Sequence, residues 1–239
     1  MRHFAYQRVE TAGQAVRATP AAFLAGGTTL VDLMRMGSMR PEALVDINDL
    51  AKVHGQVRAG TDGLHLGALV RMAEAADNPV VIRDYPVIAQ SLSLAASAQI
   101  RNMASLGGNV LQRTRCPYFR EPSWRACNKR DPGSGCEAIS GPNRLHAVLG
   151  VSNHCIATYA GDFGQSLVAL DATVDLAGPS GARVIRFEDL HKPPGDTPQI
   201  ETNLKPGELI TGFTVGHVRP PSATPASAHA RGCGGRALV

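Results

Sequence analysis

Apolar and polar positions change period several times in the first fifty residues, and each change marks a separate element. The stretch HFAYQRV alternates like a strand with one covered face. TAGQAVRAT has the spacing of a short helix, beginning near Thr11 and stopping before Pro20. AAFLAGG is a short apolar run that ends in a glycine turn. TTLVDLMRMG then places Leu30, Leu33 and Met34 on one helical face, with Gly37 as its stop. ALVDIND is a further strand. The predicted order is strand, helix, strand, glycine loop, helix, strand.

Residues 56–72 predict a hairpin turning at Thr61-Asp62-Gly63. Residues 72–103 are mostly helical in pattern, broken near Pro79 and Pro86. ASLGGNVLQRT supplies a second glycine turn. DFGQSLVALDATVDLAGPSGARVIRFEDL predicts a short helix and a hairpin turning at Gly178–Gly181, and GELITGFTV a last strand. From Gly216 the character changes: of the last 24 residues 14 are Gly, Ala, Pro or Ser, and none is acidic or aromatic. That composition predicts disorder, because it cannot bury enough apolar surface to offset ordering entropy.

At 239 residues the chain fits one large domain or two small ones. With 44% hydrophobic and 18% charged residues it can build an ordinary core, and 5% aromatics predict an aliphatic one. A net charge of +4 is too weak a basic signal for a nucleic-acid binder. No apolar run is long enough to predict a membrane span. MRHFAYQRVE has no apolar signal core and no arginine pair, so a cytoplasmic location is expected. Export alongside a signal-bearing partner to the periplasm is the alternative. Five cysteines in a reducing compartment suggest metal or redox chemistry more than disulfides.

Two glycine pairs carry candidate binding chemistry. Gly26-Gly27-Thr28-Thr29 lies between a strand and a helix start, where glycine lets backbone approach a ligand and free N–H groups attract phosphate. Thr28 and Thr29 could instead cap the helix. Gly107-Gly108, followed by Asn109, is the second pair. Two such loops suit a ligand with two phosphates held between subdomains, although each alone is also an ordinary turn. The tail sequence GCGGRA matches a dinucleotide fingerprint by letters only, with no strand before it or helix after it.

Four cysteines, Cys116, Cys127, Cys136 and Cys155, are spaced C-x10-C-x8-C-x18-C. The tight pair of a structural zinc site is missing. An iron–sulfur cubane tolerates wider spacing. Disulfides or unrelated thiols are the other possibilities. Pro117, Pro122, Pro132, Gly133 and Gly135 predict an irregular loop that needs an organiser. Arg113, Arg115, Arg120, Arg125, Lys129 and Arg130 could offset thiolate charge. Cys233, in the tail, is expected to be a free thiol. The eight histidines are scattered, with His154 beside Cys155 as a surface residue or a neighbour of the ligands. Asp162 begins a helix, where its commonest use is as an N-cap. No acid–base pair is poised for catalysis, so any redox chemistry belongs to cofactors.

FLAGGTTLVDLM, AQIRNMASLGGNVLQRTRCPYF, CNKR followed by PGSGC, HAVLGVSNHCIAT and PGELIT, in this order, resemble the FAD-binding subunit of the xanthine dehydrogenase and aldehyde oxidoreductase family of molybdenum hydroxylases. The resemblance is nearest to the branch whose flavin subunit carries a 4Fe-4S cluster, as in bacterial periplasmic aldehyde oxidoreductases. It runs from about residue 1 to 215. It implies an α+β fold of the PCMH type, with FAD between two α+β subdomains, 1–55 and 56–215. The cluster segment would be inserted at about 112–156, and 216–239 would be a tail outside the family pattern.

By the same resemblance, Ala25, Gly26, Gly27, Thr28, Thr29, Leu30, Val31, Asp32 and Leu33 bind the flavin pyrophosphate. Ser105, Gly107, Gly108 and Asn109 form a second flavin loop. Asp162 would hydrogen-bond the nucleotide, and Leu209 or Ile210 would lie near the isoalloxazine ring. Cys116, Cys127, Cys136 and Cys155 match the cluster ligands. The implied partners are a molybdenum-cofactor large subunit that oxidises the substrate and a small subunit with two 2Fe-2S clusters that feeds electrons to FAD. The resemblance implies a family pattern that continues into a further C-terminal domain, and after GELITGFTV this sequence is expected to depart from that pattern. An alternative expectation follows, a scaffold subunit that keeps the fold and the cluster but not FAD.

Overall fold

A computed structural model describes residues 2–217. The predicted disorder of 216–239 therefore falls almost wholly outside the described residues, as do His229 and Cys233.

The first fifty residues build a small parallel sheet from β1 (Ala5–Arg8), β2 (Ala22–Leu24) and β3 (Ala43–Asp46), in the order β1-β3-β2. Helix α1 (Ala12–Arg17) joins β1 to β2, and α2 (Leu30–Met36) joins β2 to β3. Helix α1 starts on a capping box. The Thr11 hydroxyl accepts from the Gln14 amide at 3.2 Å, and the Gln14 side chain accepts from the Thr11 amide at 3.1 Å. Gly37 ends α2 at φ 81°, a left-handed conformation that glycine adopts at little cost. Strand β1 departs from its alternating pattern: as an edge strand it is exposed along its length, and the Tyr6 hydroxyl fastens it by donating to Asp46 Oδ2 at 2.5 Å.

After α3 (Ala51–His54) come the hairpin strands β4 (Val57–Gly60) and β5 (Gly63–Gly67). The helical pattern over 72–103 is cut into α4 (Met72–Ala76), α5 (Pro79–Asp84), α6 (Pro86–Leu94) and α7 (Ala98–Met103). Pro79 and Pro86 each occupy a first helical position, where the missing N–H is no loss. A break the prolines do not announce comes at Ala96, whose φ is 50°. The second glycine pair is not a turn. It lies within α8 (Leu106–Val110), which Ser105 caps by accepting from the Gly108 amide at 3.2 Å. The cysteine segment contains only α9 (Pro117–Arg120) and α10 (Glu137–Ser140), and α11 (Asp162–Ala169) follows.

Strands β6 (Thr173–Gly178), β7 (Gly181–Arg186) and β8 (Leu209–Val215) complete an antiparallel sheet of order β4-β5-β8-β6-β7. The last of the described strands is thus the central one. A bulge shifts its register: Asp175 faces Gly212, but Leu176 faces Ile210. Thr211 is the extra residue. Its hydroxyl donates to the Asp175 carbonyl at 3.1 Å, and its own carbonyl accepts from the Ala68 amide at 3.0 Å.

Two apolar cores result. The larger packs α4, α6, α8 and α11 against the second sheet around Phe163, Phe187 and Phe213. The smaller gathers Val9, Ala15, Val45, Ile47 and Leu50 from the first fifty residues with Leu69 and Leu209 from later in the chain. Aromatic residues are scarce, yet the core is not simply aliphatic: Phe119, Phe163, Phe187 and Phe213 are the largest fully buried side chains. Their bulk makes a few residues span what several aliphatic ones would.

At the entry to β8, buried Glu208 accepts two bonds of 2.7 Å from the Arg183 guanidinium and one of 2.7 Å from the Lys205 amide. The Arg183 bonds, opposed by burial, hold its carboxyl below the ordinary range. A depressed folded-state value means this stabilisation is complete above the ordinary glutamate value of about 4.3 and is lost as pH falls through the depressed one. Glu208→Gln should cost about 2 kcal/mol at neutral pH, since Arg183 is partly solvated, and should flatten the acid limb of stability. Urea melts across the acid range check this; an unchanged acid limb would refute it.

Candidate functional site

Strand β2 runs directly into Ala25–Thr29, at the carboxyl end of a parallel strand, where ligands of open parallel sheets bind. The loop is pinned by carbonyls. Asn48 Nδ2 donates to the Ala25 carbonyl at 3.1 Å and to Asp46 Oδ1 at 2.7 Å. Arg71 donates to Asn48 Oδ1 at 3.0 Å and to the Met103 carbonyl at 2.6 Å. Burial pushes the Asp46 carboxyl up, but the bonds from Tyr6 and Asn48 outweigh it and leave the group below its usual range. Gly26 passes so close to Met103 that a Cβ would sit 1.9 Å from its carbonyl oxygen. Gly27 has φ +71° and room only for hydrogen beside Val31.

The backbone amides of Gly26, Gly27, Thr28 and Thr29 donate to no protein acceptor among the described residues. Neither threonine caps α2: Thr29 stands at the cap position with helical dihedrals and no side-chain bond. The loop therefore offers uncommitted N–H and hydroxyl donors.

These donors face a cavity of about 230 Å³. Ala25, Gly26, Gly27, Thr28, Thr29 and Leu30 line one side, Ser105, Gly107 and Gly108 another, and Leu209 and Ile210 close it. Successive residues of a strand point to opposite faces, so Leu209 enters the smaller core while Ile210 enters the larger. The second glycine pair differs from the first in chemistry. Its amides are already used, Gly107 on the Ala68 carbonyl at 2.8 Å and Gly108 on the Ser105 hydroxyl. Its contribution is close approach.

Five expected residues lie outside this cavity. Val31 packs on Gly27. Asp32 pairs with Arg120 at 2.5 Å. Leu33 is buried with Phe119 and Cys127. Asn109 turns inward, its Nδ2 3.4 Å from Met72 Sδ and its Oδ1 buried without a partner. Asp162 is exposed and is the first residue of α11; the N-cap is Gly161. Sequence reasoning missed Asp46, Asn48 and Arg71, whose role depends on contacts distant in the chain. It also missed Arg113 as a wall of this cavity, reading it only as a counter-charge.

The four clustered cysteines all line a second, small cavity, and none forms a disulfide. Cys127 and Cys136 face each other across an isolated antiparallel bridge, flanked by Asn128 N–H to Gly135 O at 2.7 Å and Glu137 N–H to Ala126 O at 3.0 Å. Asn128 organises the loop. Its Oδ1 accepts from the Gly133 and Gly135 amides at 3.1 and 2.9 Å, and its Nδ2 donates to the His154 carbonyl at 3.0 Å. It thereby ties the Cys127–Cys136 pair to Cys155. His146 Nε2 lies 3.2 Å from Cys116 Sγ. Burial pushes the Cys116 and Cys155 thiols up, and backbone amides of Phe119 and Ala157 oppose the shift.

Among the described residues, no three His, Cys, Asp or Glu side chains could hold one metal ion. The four free thiols around this small space are nevertheless of the donor type that iron–sulfur clusters take. Of the six basic residues expected around them only Lys129 lines the cavity. Arg130 instead staples the carbonyls of Tyr118, Phe119 and Trp124, Arg120 pairs with Asp32, and Arg115 and Arg125 are exposed. His154 borders the cavity but is half-exposed beside Asp196.

Residues 2–217 match the family model described as the FAD binding domain in molybdopterin dehydrogenase. The chain belongs to that family. It is similar to the aldehyde oxidoreductase FAD-binding subunit of Escherichia coli, 46% identical over 220 residues, which span 90% of this chain and 69% of that protein. It is also similar to the glyceraldehyde dehydrogenase medium chain of Sulfolobus acidocaldarius, at 24% identity over 89% of this chain and 59% of that one. Among solved structures, reconstituted CO dehydrogenase from Oligotropha carboxidovorans matches with a TM-score of 0.64 at 23% identity, covering 92% of this chain and 62% of the other. At that identity the likeness shows the fold, α+β of the flavin-domain type. The chain spans about 59% to 69% of the length of these proteins. No helix among the described residues is long and apolar enough to cross a membrane.

Gly26→Ala should destabilise the chain by about 3 kcal/mol, because backbone rather than a flexible side chain blocks the new methyl. Thr28→Ala, which removes no protein hydrogen bond, should stay within about 0.5 kcal/mol of wild type. Paired denaturant melts test the contrast; equal losses would contradict it.

Proposed function

We propose that this chain carries FAD and a 4Fe-4S cluster and acts as the electron-transfer subunit of a molybdenum-dependent oxidoreductase of the aldehyde and xanthine type. Its partners in this reading are a molybdenum-cofactor large subunit and a small subunit with two 2Fe-2S clusters. Residues 1–55 and 56–215 are read as two flavin-binding subdomains, with the cysteine segment as an insertion in the second. The observation that carries the flavin part is the Ala25–Thr29 loop, with four uncommitted amides beside a glycine backbone that admits no side chain.

Bound flavin would supply the exchange between two-electron and one-electron chemistry, and a cluster would supply one-electron transfer. The protein's share is binding, orientation and exclusion of water. The amides of Gly26 to Thr29 and the Thr28 and Thr29 hydroxyls hold pyrophosphate oxygens. Gly107 and Gly108 allow close approach on the opposite wall. Leu209 and Ile210 keep water from the ring. Cys116, Cys127, Cys136 and Cys155 hold the cluster, with Asn128 fixing the loop and the Phe119 and Ala157 amides directed at sulfur. What supports the cluster is the donor type: four free thiols line one small space.

The decisive measurement is the visible spectrum of the chain purified without oxygen, with iron, acid-labile sulfide and released FAD assayed. Equal iron and sulfide with released FAD is expected. A cluster without releasable FAD would favour the scaffold reading, and zinc without sulfide would defeat the cluster. Thr28→Ala should weaken FAD binding about fivefold without unfolding the chain, the worth of roughly one hydrogen bond. Titration by flavin fluorescence quenching checks it, and unchanged affinity would remove the loop from the site.

A further inference from the structure

We propose that Glu201 is a positioning residue that couples the cysteine centre to the wall of the flavin cavity. The inference rests on the reading above, that both cavities hold cofactors. Glu201 Oε2 accepts from Arg113 Nε at 2.6 Å, and its Oε1 accepts from Lys129 Nζ at 2.7 Å. Arg113 lines the flavin cavity. Lys129 lines the cysteine cavity, two residues from Cys127. One carboxylate therefore joins a side chain from each wall.

The rest of the geometry stiffens this link. Arg113 Nη2 donates to the Lys129 carbonyl at 3.4 Å, and its guanidinium lies 4.4 Å from the centre of the Phe119 ring. Phe119 is fully buried and also lines the cysteine cavity, so Arg113 is held over the loop that carries Cys116. Lys129 Nζ donates a further bond to the Pro198 carbonyl at 2.9 Å. Glu201 itself is mounted rigidly. Its carbonyl accepts from the Lys192 amide at 2.9 Å, and the neighbouring Thr202 pairs with His191 across an isolated bridge. All three charged side chains are mostly shielded from water, Lys129 most of all.

The consequence is directional. Ordering the four cysteines around a cluster fixes Phe119 and Lys129, and through Glu201 it fixes Arg113 at the flavin wall. Loss of the cluster frees the loop, and Arg113 loses both its ring platform and its anchored partner. Cluster occupancy then raises FAD affinity, and by linkage FAD raises cluster retention. Glutamine at 201 keeps the shape but not the charge and turns an amide N–H toward one of the two cations, which breaks an arm of the bridge.

The test is a set of four FAD affinities on the full chain. Wild type and Glu201→Gln are each titrated with FAD with the cluster intact and after its anaerobic removal by oxidation and chelation. In wild type, removal should weaken FAD binding about tenfold, within the usual range of coupling between sites. In Glu201→Gln the two affinities should be equal, with iron and sulfide content as in wild type. Arg113→Lys, which keeps the charge but loses the planar fork, should give the same equality and serves if the first variant folds poorly. A wild-type ratio persisting in both variants, or no ratio in wild type, overturns the inference while leaving the cofactor assignment standing. A chain that holds neither iron nor flavin overturns the assignment itself.

Discussion

Two backbone carbonyls, those of Ala25 and Met103, are held by one line of side chains that runs Tyr6, Asp46, Asn48, Arg71. The line begins on the edge strand of the small sheet and ends beside the helices of the larger half. Gly26 fits against the Met103 carbonyl only because it has no side chain. Among the described residues the amides of Gly26 to Thr29 have no protein acceptor, because this line, rather than a helix or sheet ladder, fixes the loop. Preorganised donors cost a ligand little ordering entropy, so the network converts fold stability into binding strength.

The glycine loop and the cysteine segment obtain their order differently. The glycine loop is held by hydrogen bonds already complete in the protein. The cysteine segment has two helices of four residues each and depends on Asn128, Arg130 and short turns. A segment so poor in secondary structure has a large conformational entropy to lose, and metal–thiolate bonds are a strong means of offsetting it.

Elements whose signals are local were legible from the sequence. The helix start near Thr11, the Gly37 stop, the proline breaks at 79 and 86 and the hairpins around 61 and 179 depend on neighbours in the chain, and their residues name them. The Gly26-Gly27 loop was legible for the same reason. Long-range facts were not. Gly107-Gly108 reads as a turn until Ser105 is seen to cap a helix around it. The six basic residues of the cysteine segment look equivalent, yet only Lys129 reaches the cavity, because Arg130 and Arg120 are used to hold carbonyls and Asp32. Asn48 and Arg71 carry no motif at all. Their importance lies in carbonyls 23 and 32 residues away, which no local pattern encodes.

The place of β8 has a further consequence, for the order in which the protein comes into being. Among the described strands the sheet's middle one comes last in sequence, so the strand that joins hairpin β4-β5 to hairpin β6-β7 follows both of them in the chain. Leu209 lies in one core and Ile210 in the other, so that one strand contributes to both. The glycine loop and all four clustered cysteines precede that strand in the chain, so Leu209 and Ile210, which close the glycine-loop cavity, are the last of its lining to be made.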